Sequence, residues 1–317
     1  MSASSPPLIG AIEAGGTKFV CALFRGPDEI LDETRISTTT PKETLHSVFR
    51  FFAGAKAKFG PMSALGVGAF GPLDLDLQSM TYGSITTTPK QGWQHTELVG
   101  PLRSQFKVPI GFDTDVNAAV LAEYLWGAGQ GCDPLIYITV GTGIGGGVIV
   151  NGHLLHGMMH PEIGHLMIPP PLNSEASNVD CQCSFHRSCL EGYASGPAIM
   201  KRWGAKAESL PPDHPAWADV SDALAYGLAN LTLTLSPKRI ILGGGVMHQQ
   251  HLYPLIYAKV QQALNGYIQL PEITRQIDRY IVPPGLGDRA GLLGALALGQ
   301  GALREHSAAK SPTLEST

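Results

Sequence analysis

Two glycine-rich turns, each placed between two apolar runs, form the clearest pattern along this chain. The first turn joins residues 8–14 to residues 19–23, and the second joins residues 135–140 to residues 144–150. The flanking runs contain many β-branched residues and are bounded by glycines, which is typical of strands. Each segment therefore predicts a strand, a glycine loop and a second strand, and their repetition predicts a duplicated fold.

The rest of the chain alternates short apolar runs with longer helical patterns. Strands are predicted at residues 64–70, 107–112 and 239–242, and helices at residues 116–126, 223–235 and 288–306. Alternating strands and helices indicate an α/β fold. We place a domain boundary near residue 115, with an N-terminal α/β domain at residues 1–114 and a C-terminal one at residues 115–287. The polar residues 307–317 predict a disordered tail.

Composition narrows the class of protein. The chain has 317 residues, 44% of them hydrophobic and 15% charged, which allows two domains with a sizeable core. A net charge of −4 argues against nucleic acid as the main partner. Neither a signal peptide nor an apolar stretch long enough to cross a bilayer is predicted. We therefore expect a cytoplasmic protein with no membrane partner.

The two glycine loops are candidates for phosphate binding, because glycine lets backbone amides approach a ligand closely. Their candidate residues are Gly15, Gly16, Thr17 and Lys18 in the first loop and Gly141, Thr142 and Gly143 in the second. The alternative is a pair of ordinary hairpins, in which Lys18 is only a solvated side chain. The matching layout of the two loops favours phosphate binding, with one polyphosphate clamped from both sides.

Two common phosphate-binding motifs are excluded. Gly141, Gly143 and Gly146 have the spacing of the dinucleotide-binding fingerprint, but that fingerprint requires a helix directly after the loop. Residues 148–152 instead predict a second strand that ends in an Asn-Gly turn. No Lys-Ser or Lys-Thr pair follows the glycines, which excludes a Walker loop.

Residues 113–117, Asp-Thr-Asp-Val-Asn, lie between a predicted strand and a predicted helix. Ligands of open α/β sheets bind beyond the carboxyl ends of the strands. A carboxylate at that place can take the proton from a hydroxyl group that attacks a γ-phosphate, as in kinases. Asp is also a favoured helix N-cap, so the segment alone leaves cap and base equally open.

Cysteine and histidine cluster late in the chain's middle third. Three of the five cysteines and two histidines lie within 25 residues, at spacings typical of zinc sites. We choose His165, Cys183, His186 and Cys189 as ligands of a structural zinc, with Cys181 as the alternative ligand. Unrelated reduced thiols are the competing interpretation, which the clustering disfavours. The zinc-binding loop is expected at residues 160–191.

Two glutamates flank that cluster. A zinc ion that fixes His165 and Cys189 would also bring Glu162 and Glu191 together. Paired carboxylates can accept several hydrogen bonds from sugar hydroxyls. The alternative is a pair of solvated surface glutamates, the commoner environment of this residue type. A third glycine run, residues 243–245, could let a flat base lie against the backbone or could be an ordinary strand-to-helix turn.

These motifs, in this order, resemble the ROK family of sugar kinases and, within it, the bacterial fructokinases. The resemblance is carried by residues 13–18 (Glu-Ala-Gly-Gly-Thr-Lys), 70–72 (Phe-Gly-Pro), 88–93 (Thr-Pro-Lys-Gln-Gly-Trp), 114–117 (Thr-Asp-Val-Asn), 141–145 (Gly-Thr-Gly-Ile-Gly), 162–165 (Glu-Ile-Gly-His), the Cys/His cluster and 243–247 (Gly-Gly-Gly-Val-Met). It runs from Ile12 to about Leu298, and the motifs are jointly specific.

The resemblance implies an actin-like, hexokinase-type duplicated fold, with two domains around a nucleotide and sugar cleft and the final helix packing back on the N-terminal domain. It implies ATP, Mg²⁺ and a structural Zn²⁺, and it favours a homodimer. Asp115 corresponds to the catalytic base, and Gly71, Thr114, Glu162 and Glu191 correspond to sugar-binding positions. The positions implied to bind nucleotide or phosphate are Gly15, Gly16, Thr17, Lys18, Gly141, Thr142, Gly143, Pro197, Gly243, Gly244, Gly245, Val246 and Met247.

Three departures from the wider family are similar to the fructokinase branch. Glu13 stands where Asp is usual, and its longer side chain can still reach Mg²⁺ through water. Thr114 stands where glucokinase-like members have Asn, which weakens a glucose interpretation. The spacing Cys-x-x-His-x-x-Cys replaces the Cys-x-Cys pattern common elsewhere in the family.

We therefore expect an enzyme that uses Mg-ATP to phosphorylate D-fructose at the C6 hydroxyl, with Asp115 as general base. The products are fructose 6-phosphate and ADP. Kinases of mannose, glucose or N-acetylmannosamine share every motif and stay as alternatives. A sugar-sensing repressor is the alternative outside enzymology. Its helix-turn-helix domain is not expected here, because the first strand begins at Leu8 and the net charge is negative.

Overall fold

The computed structural model describes residues 6–171 and 180–310. The strands are β1 (Ile9–Ala14), β2 (Lys18–Gly26), β3 (Glu29–Ser37), β4 (Ala64–Ala69), β5 (Ser84–Ile85), β6 (Thr96–Glu97), β7 (Ile110–Thr114), β8 (Leu135–Val140), β9 (Ile144–Val150), β10 (His153–Leu154), β11 (Arg239–Gly243) and β12 (Ile281–Val282). The helices are α1 (Pro41–Phe59), α2 (Val99–Phe106), α3 (Asp115–Trp126), α4 (Leu190–Ala194), α5 (Gly196–Trp203), α6 (Ala216–Leu235), α7 (Leu252–Leu264), α8 (Pro271–Thr274), α9 (Ile277–Tyr280) and α10 (Ala290–Lys310). The predicted α/β class is confirmed.

Internal contacts divide the chain into two compact units. The first unit holds the residues up to Ala122, the segment His156–His160 and the residues from Arg289 onward. The second unit holds Glu123–Leu155 and Pro161–Asp288. The N-terminal part of the first unit therefore ends at Ala122 rather than at residue 114. The first unit also includes a short segment from the middle of the chain that the sequence analysis assigned to the C-terminal domain.

The first unit is built on a five-stranded sheet in the order β3-β2-β1-β4-β7. β1, β2 and β3 pair antiparallel in succession, whereas β4 pairs parallel with both β1 and β7. Ala14 pairs with Phe19, so the β1–β2 hairpin turns through residues 15–18. Buried apolar side chains, including Phe52 from α1 and Leu102 from α2, form the core of this unit.

Helix α10 packs on this sheet with its backbone close to the strands. A Cβ atom at Gly66 in β4 would overlap the carbonyl of Ala295 and the amide of Gly299. A Cβ atom at Gly294 would likewise overlap the backbone of Ala118. Only glycine allows these approaches, which explains the small residues of the final helix. The helix reaches Lys310, so residues 307–310, assigned to the tail in the sequence analysis, are its last turn. Residues 311–317 lie outside the described residues.

The second unit is built on a sheet in the order β10-β9-β8-β11-β12. β8 and β9 form an antiparallel hairpin in which Val140 pairs with Ile144, while β11 runs parallel to β8 and β12. Helices α6 and α7 contribute buried side chains such as Trp217 and Ile256 to its core. Both units therefore contain the same arrangement of an antiparallel hairpin, a third antiparallel strand and two further parallel strands.

Local sequence explains where several helices begin. Thr40 Oγ1 accepts the N–H of Glu43, and the Glu43 carboxylate accepts the N–H of Thr40, which forms a capping box ahead of α1. Helix α6 begins at Ala216, earlier than the predicted residue 223, because Ala216 and Trp217 are already buried in the core. Within the described ranges, no helix is long and apolar enough to cross a membrane.

Candidate active site

The predicted site residues are divided between the two units, and all of them lie within the described ranges. In the first unit lie Glu13, Gly15, Gly16, Thr17, Lys18, Gly71, Thr114 and Asp115. In the second unit lie Gly141, Thr142, Gly143, Glu162, His165, Cys181, Cys183, His186, Cys189, Glu191, Pro197, Gly243, Gly244, Gly245, Val246 and Met247.

The junction of β7 and α3 separates the roles of two neighbouring residues. Thr114 ends β7, and its Oγ1 accepts the N–H of Asn117 at 3.0 Å, which caps α3. Asp115 is the first residue of α3, and its Oδ1 accepts the N–H of Val116 at 2.9 Å. The cap of α3 therefore belongs to Thr114 rather than to Asp115.

A buried hydrogen-bond network surrounds this junction. Asp113 Oδ1 accepts the N–H of Thr114 and the side-chain amide of Asn117, both at 2.7 Å. Asp113 Oδ2 lies 2.9 Å from Nε2 of His156. A carboxylate can only accept hydrogen bonds, so His156 Nε2 is the donor. This hydrogen bond raises the pKa of the His156 imidazole above its ordinary value.

The first glycine loop is closed by its own backbone and by the residue after β3. The N–H of Gly15 donates to the carbonyl of Lys18 at 3.0 Å. Thr38 donates from its hydroxyl to the carbonyl of Gly15 at 2.8 Å and from its N–H to the carbonyl of Thr17 at 3.0 Å. A Cβ atom at Gly16 would meet no heavy atom within 4 Å. The loop is therefore held by several hydrogen bonds, with open space beside Gly16.

The carboxylate of Glu13 lies beside the first turn of α10. A Cβ atom at Gly291, in the first turn of that helix, would lie 2.6 Å from Oε1 of Glu13. The missing side chain at Gly291 leaves room for the carboxylate. A negative charge is favourable near a helix N-terminus, where backbone N–H groups are unpaired.

Three segments of the second unit that contain predicted nucleotide positions lie close together at the second glycine loop. The N–H of Gly141 donates to the carbonyl of Gly143 at 2.8 Å, and the N–H of Gly196 donates to the carbonyl of Gly141 at 2.8 Å. Gly196 begins α5, so the exposed Pro197 lies beside the loop. A Cβ atom at Gly141 would lie 3.9 Å from the amide nitrogen of Gly245. Residues far apart in sequence are thereby placed together.

The glycine run after β11 has a strained turn that glycine permits. Gly244 has φ +94, and a Cβ atom there would lie 2.5 Å from backbone atoms of Val140. Gly245 is exposed, whereas Val246 and Met247 are each 2% exposed and belong to the core. The side chains of these two residues therefore serve packing.

Glu162 and Glu191 lie close enough for their charges to interact. Burial, and then the charge on Glu191, raise the pKa of Glu162 to about 7. Glu191 Oε2 accepts the N–H of Ile144 at 2.8 Å, and a Cβ atom at Gly143 would lie 2.7 Å from the same oxygen. The Glu191 carboxylate is thus held against the second glycine loop, beside a second carboxylate. Two such groups can accept hydrogen bonds from a polyol.

Gly71, predicted to line the sugar pocket, packs against a buried histidine of its own unit. A Cβ atom at Gly71 would lie 3.3 Å from Cε1 of His160. His160 Nε2 accepts the N–H of Leu73 at 3.0 Å, which fixes the turn that contains Gly71. His160 is 4% exposed, so the segment His156–His160 is anchored on the first unit by the histidine at each end.

Four of the five candidate metal ligands converge. The ligand atoms of His165, Cys183, His186 and Cys189 all lie within 4.8 Å of one another. Cys183 Sγ lies 3.4 Å from His186 Nδ1 and 3.8 Å from His165 Nδ1. Tetrahedral zinc with bonds of about 2.0–2.3 Å separates its ligand atoms by about 3.3–3.8 Å. The donor set fits a structural zinc ion, and the two separations from Cys183 lie within this tetrahedral range.

Cys181, the alternative ligand, lies at the edge of this group. Its Sγ is 3.9 Å from Sγ of Cys189, but it does not belong to the four ligand atoms that converge. Gly192 makes room for it, because a Cβ atom at Gly192 would overlap the Cys181 sulfur. The geometry thus favours the four residues chosen first.

The sequence profile of the ROK family matches residues 9–302. The chain belongs to the ROK family. A fructokinase from Pediococcus pentosaceus is 43% identical, over 94% of this chain and 99% of its own length. A fructokinase from Zymomonas mobilis is 40% identical, over 92% of this chain and 96% of its own. A ROK family glucokinase from Streptomyces griseus, solved with glucose and AMPPNP, is 26% identical with a TM-score of 0.75, over 93% of this chain and 99% of that one.

Membership of the ROK family confirms the resemblance drawn from the motifs. The likeness to solved ROK kinases also confirms the actin-like fold class, and the two five-stranded sheets of equal strand order show the duplication directly. The kinase class and ATP as its phosphoryl donor follow from the same relatives.

One contact beside the predicted base of this ROK protein was not expected from its sequence. His156 was not singled out, although it hydrogen-bonds the aspartate two residues before the predicted base. The two residues are 43 positions apart, so no helical or strand periodicity connects them. The available signal was the pair of histidines at 156 and 160, the second of which lies two positions before Glu162.

Proposed function

We propose that this chain is an ATP-dependent fructokinase that transfers the γ-phosphoryl group of Mg-ATP to the C6 hydroxyl of D-fructose. The fructokinases that are 40–43% identical over more than nine-tenths of the chain support the substrate. The observation that carries the mechanism is the β7–α3 junction, where Thr114 caps the helix and Asp115 follows at the carboxyl end of a parallel strand.

Asp115 is the general base in this proposal. It takes the proton of the C6 hydroxyl as that oxygen attacks the γ-phosphorus in line, and the bond to the bridging oxygen of ADP breaks. An ionised carboxylate at this position can accept the proton in the transition state. Asp115 is only partly buried, which suits a group that must meet a substrate hydroxyl.

Glu162 and Glu191 bind the hydroxyls of the sugar, with Gly71 and Thr114 as further contacts in the proposal. The raised pKa of Glu162 and the backbone bond from Ile144 to Glu191 support this role. A carboxyl group can donate a hydrogen bond when it is protonated and accepts hydrogen bonds in either form. The oxygen of Thr114 accepts the cap bond with one of its two lone pairs, and its hydroxyl proton can be donated to the sugar.

Residues 15–18 and 141–143 are proposed to bind phosphate oxygens through their amides and the Lys18 ammonium. Exposure of Thr17, Lys18 and Thr142 supports this role. Glu13 is proposed to hold Mg²⁺ through water. Pro197 and the backbone of residues 243–247 are proposed to border the base and ribose, since Gly141, Gly196 and Gly245 are adjacent in the second unit.

His165, Cys183, His186 and Cys189 are proposed to hold a structural Zn²⁺. When bound, the ion supplies cross-linking rather than chemistry, because four protein ligands leave no open position for substrate. Cys189 directly precedes α4, which carries Glu191, and His165 ends the turn that follows Glu162. The family likeness also favours a homodimer, which measurement of the molar mass in solution tests.

The test of the proposal is coupled ADP release with Mg-ATP across fructose, mannose, glucose and N-acetylmannosamine. The wild type is expected to turn over fructose, and Asp115→Asn to lose about 10²–10⁴-fold in kcat, the range that removal of a general base costs. Asp28→Asn, in an exposed turn, is the matched control. Turnover of a different sugar would overturn the substrate and keep the kinase. No ADP release with any sugar, from folded and zinc-loaded protein, would overturn the enzyme and favour a sugar-sensing role.

A further inference from the structure

The segment His156–His160 belongs to the first unit, although the residues on both sides of it in sequence belong to the second. One end is fixed by His160, which accepts the N–H of Leu73. The other end is fixed by His156, whose Nε2 lies 2.9 Å from Asp113 Oδ2. The Asp113 side chain is 5% exposed and that of His156 is 41% exposed, so His156 reaches a buried carboxylate from the surface.

Asp113 is the centre of the hydrogen bonds that hold the backbone around Asp115. Its Oδ1 binds the residue before Asp115, through the N–H of Thr114, and the residue two positions after it, through the side chain of Asn117. Asn117 in turn donates its N–H to Thr114 Oγ1. The carboxylate of Asp113 thus ties together both sides of the helix start on which Asp115 lies.

We propose that His156 is a positioning residue of the kinase reaction, which acts through Asp113 to hold the β7–α3 junction and the side chain of Asp115 in place. The inference rests on the proposed function of Asp115. His156 fixes the orientation of the Asp113 carboxylate by occupying Oδ2, while Oδ1 holds Thr114 and Asn117. Hydrogen bonds between an imidazole and a carboxylate are charge-assisted and stronger than those between neutral groups.

Loss of the imidazole leaves Oδ2 of a buried carboxylate without this donor. The carboxylate can then rotate toward solvent through the space that the imidazole leaves, and its bonds to Thr114 and Asn117 weaken. A small displacement of a reacting group is costly, since a misplacement of about 1 Å can lower a rate about a hundredfold. Sugar affinity changes less, because proton transfer to Asp115 takes place only in the transition state.

The test compares His156→Ala, His156→Gln and His153→Ala by steady-state kinetics with fructose and Mg-ATP. Gln is the conservative variant, because its amide nitrogen lies close to the position of the imidazole Nε2 and can still donate to Asp113. His153 is exposed in β10 and serves as the matched control in the same stretch of chain. Thermal unfolding of each variant shows whether the protein is folded during the assay.

We expect His156→Ala to lose on the order of tenfold in kcat with less than a twofold change in KM for fructose. His156→Gln is expected to recover most of that kcat, and His153→Ala to match the wild type. A merely structural tie would lower the unfolding temperature of His156→Ala and leave the kcat of the folded enzyme unchanged.

Three results would overturn the inference: a wild-type kcat in His156→Ala, equal losses in the Ala and Gln variants, or a higher KM for fructose with kcat unchanged. Asp115→Asn in the same assay separates this failure from failure of the proposed function. If Asp115→Asn is inactive while His156→Ala has wild-type kinetics, only the role of His156 is wrong. If Asp115→Asn is fully active, the base itself is wrong.

Discussion

The two glycine-rich hairpins have the same topology but are anchored in different ways. In the first unit, the loop between β1 and β2 is held by Thr38, the residue that follows the third strand of the same sheet. In the second unit, the loop between β8 and β9 is held from outside the sheet. Gly196 at the start of α5 binds the carbonyl of Gly141, and Glu191 of α4 accepts the N–H of Ile144.

The two sheets also differ in the length of their third strand and in what lies next to it. The third strand of the first sheet, β3, has nine residues. Helix α10 packs on this sheet with its backbone in contact with the strands. The second sheet has a third strand of only two residues, and the chain beyond it carries Glu162, Glu191 and the Cys/His cluster. In the duplicated fold, the candidate ligand-binding groups thus follow the shortest of the third strands. The shared topology places one glycine loop in each unit. In the second unit, residues outside the sheet, such as Glu191, supply the side chains beside that loop.

The largest expected effect follows from breaking the metal cluster of the second unit. Cys189→Ser is expected to lower zinc content from about one ion per chain to near zero, since a structural site needs its four ligands. It is expected to lower the free energy of unfolding by roughly 3 kcal/mol or more. Metal analysis and chemical denaturation measure both effects, and limited proteolysis should cut first within the second unit.

Cys132→Ser is the matched control, because Cys132 is also buried but lies outside the cluster. It should keep the full zinc content. A Cys189→Ser protein with wild-type zinc content would show that another residue, Cys181 above all, completes the site.

The second-largest expected effect concerns the packing of α10 on the first sheet. Gly66→Ala is expected to lower the free energy of unfolding by about 2–3 kcal/mol, because the added Cβ overlaps the backbone of α10, which cannot shift without moving the helix. Gly54→Ala, on an exposed position of α1 with open space around it, should instead stabilise by about 0.5–1 kcal/mol. Equal effects of the two changes in chemical denaturation would contradict the close packing of α10.

A smaller expected effect, on KM, distinguishes the second glycine loop from the first. Gly143→Ala places a Cβ 2.7 Å from Glu191 Oε2 and should displace that carboxylate, because the bond from Ile144 already holds it. We expect KM for fructose to rise about fivefold, close to 1 kcal/mol. Gly16→Ala adds a Cβ in open space in the other loop, so any change should appear in KM for ATP. A rise of KM for fructose in Gly16→Ala alone would reverse the assignment of the loops.

The smallest expected effect is the pH dependence of the contact between His156 and Asp113. The hydrogen bond raises the folded-state pKa of His156 above the unfolded value of about 6.5. The contribution to stability is therefore complete below about pH 6.5 and is lost as pH rises through the folded-state value. Solvent screening at this half-exposed side chain keeps it below about 1 kcal/mol.

Denaturation of the wild type and His156→Gln at several pH values measures this contribution. The difference in free energy of unfolding between these two proteins should narrow as pH rises. The same difference between the wild type and His153→Gln should stay constant. A gap that widens with pH would show that the neutral imidazole is the form that stabilises the fold.

Local patterns were sufficient for the elements that depend on neighbouring residues. The two hairpins, the helix that ends before Gly127 and the strands at residues 64–69 and 239–243 follow from apolar runs bounded by glycine. The four convergent Cys/His residues also follow from sequence, because three of them lie within seven positions of one another. Ligand chemistry and short spacing leave few other arrangements.

The sequence by itself thus determined the α/β class, the duplicated hairpins and the residue types of the site. Only the tertiary structure assigned the cap to Thr114, brought Gly141, Gly196 and Gly245 together, and placed His156 on Asp113 across 43 residues. It also placed the segment His156–His160 in the first unit and extended α10 to Lys310. The physical reason is that periodicity reports which face of an element is buried, whereas contacts between distant segments depend on how the whole chain packs.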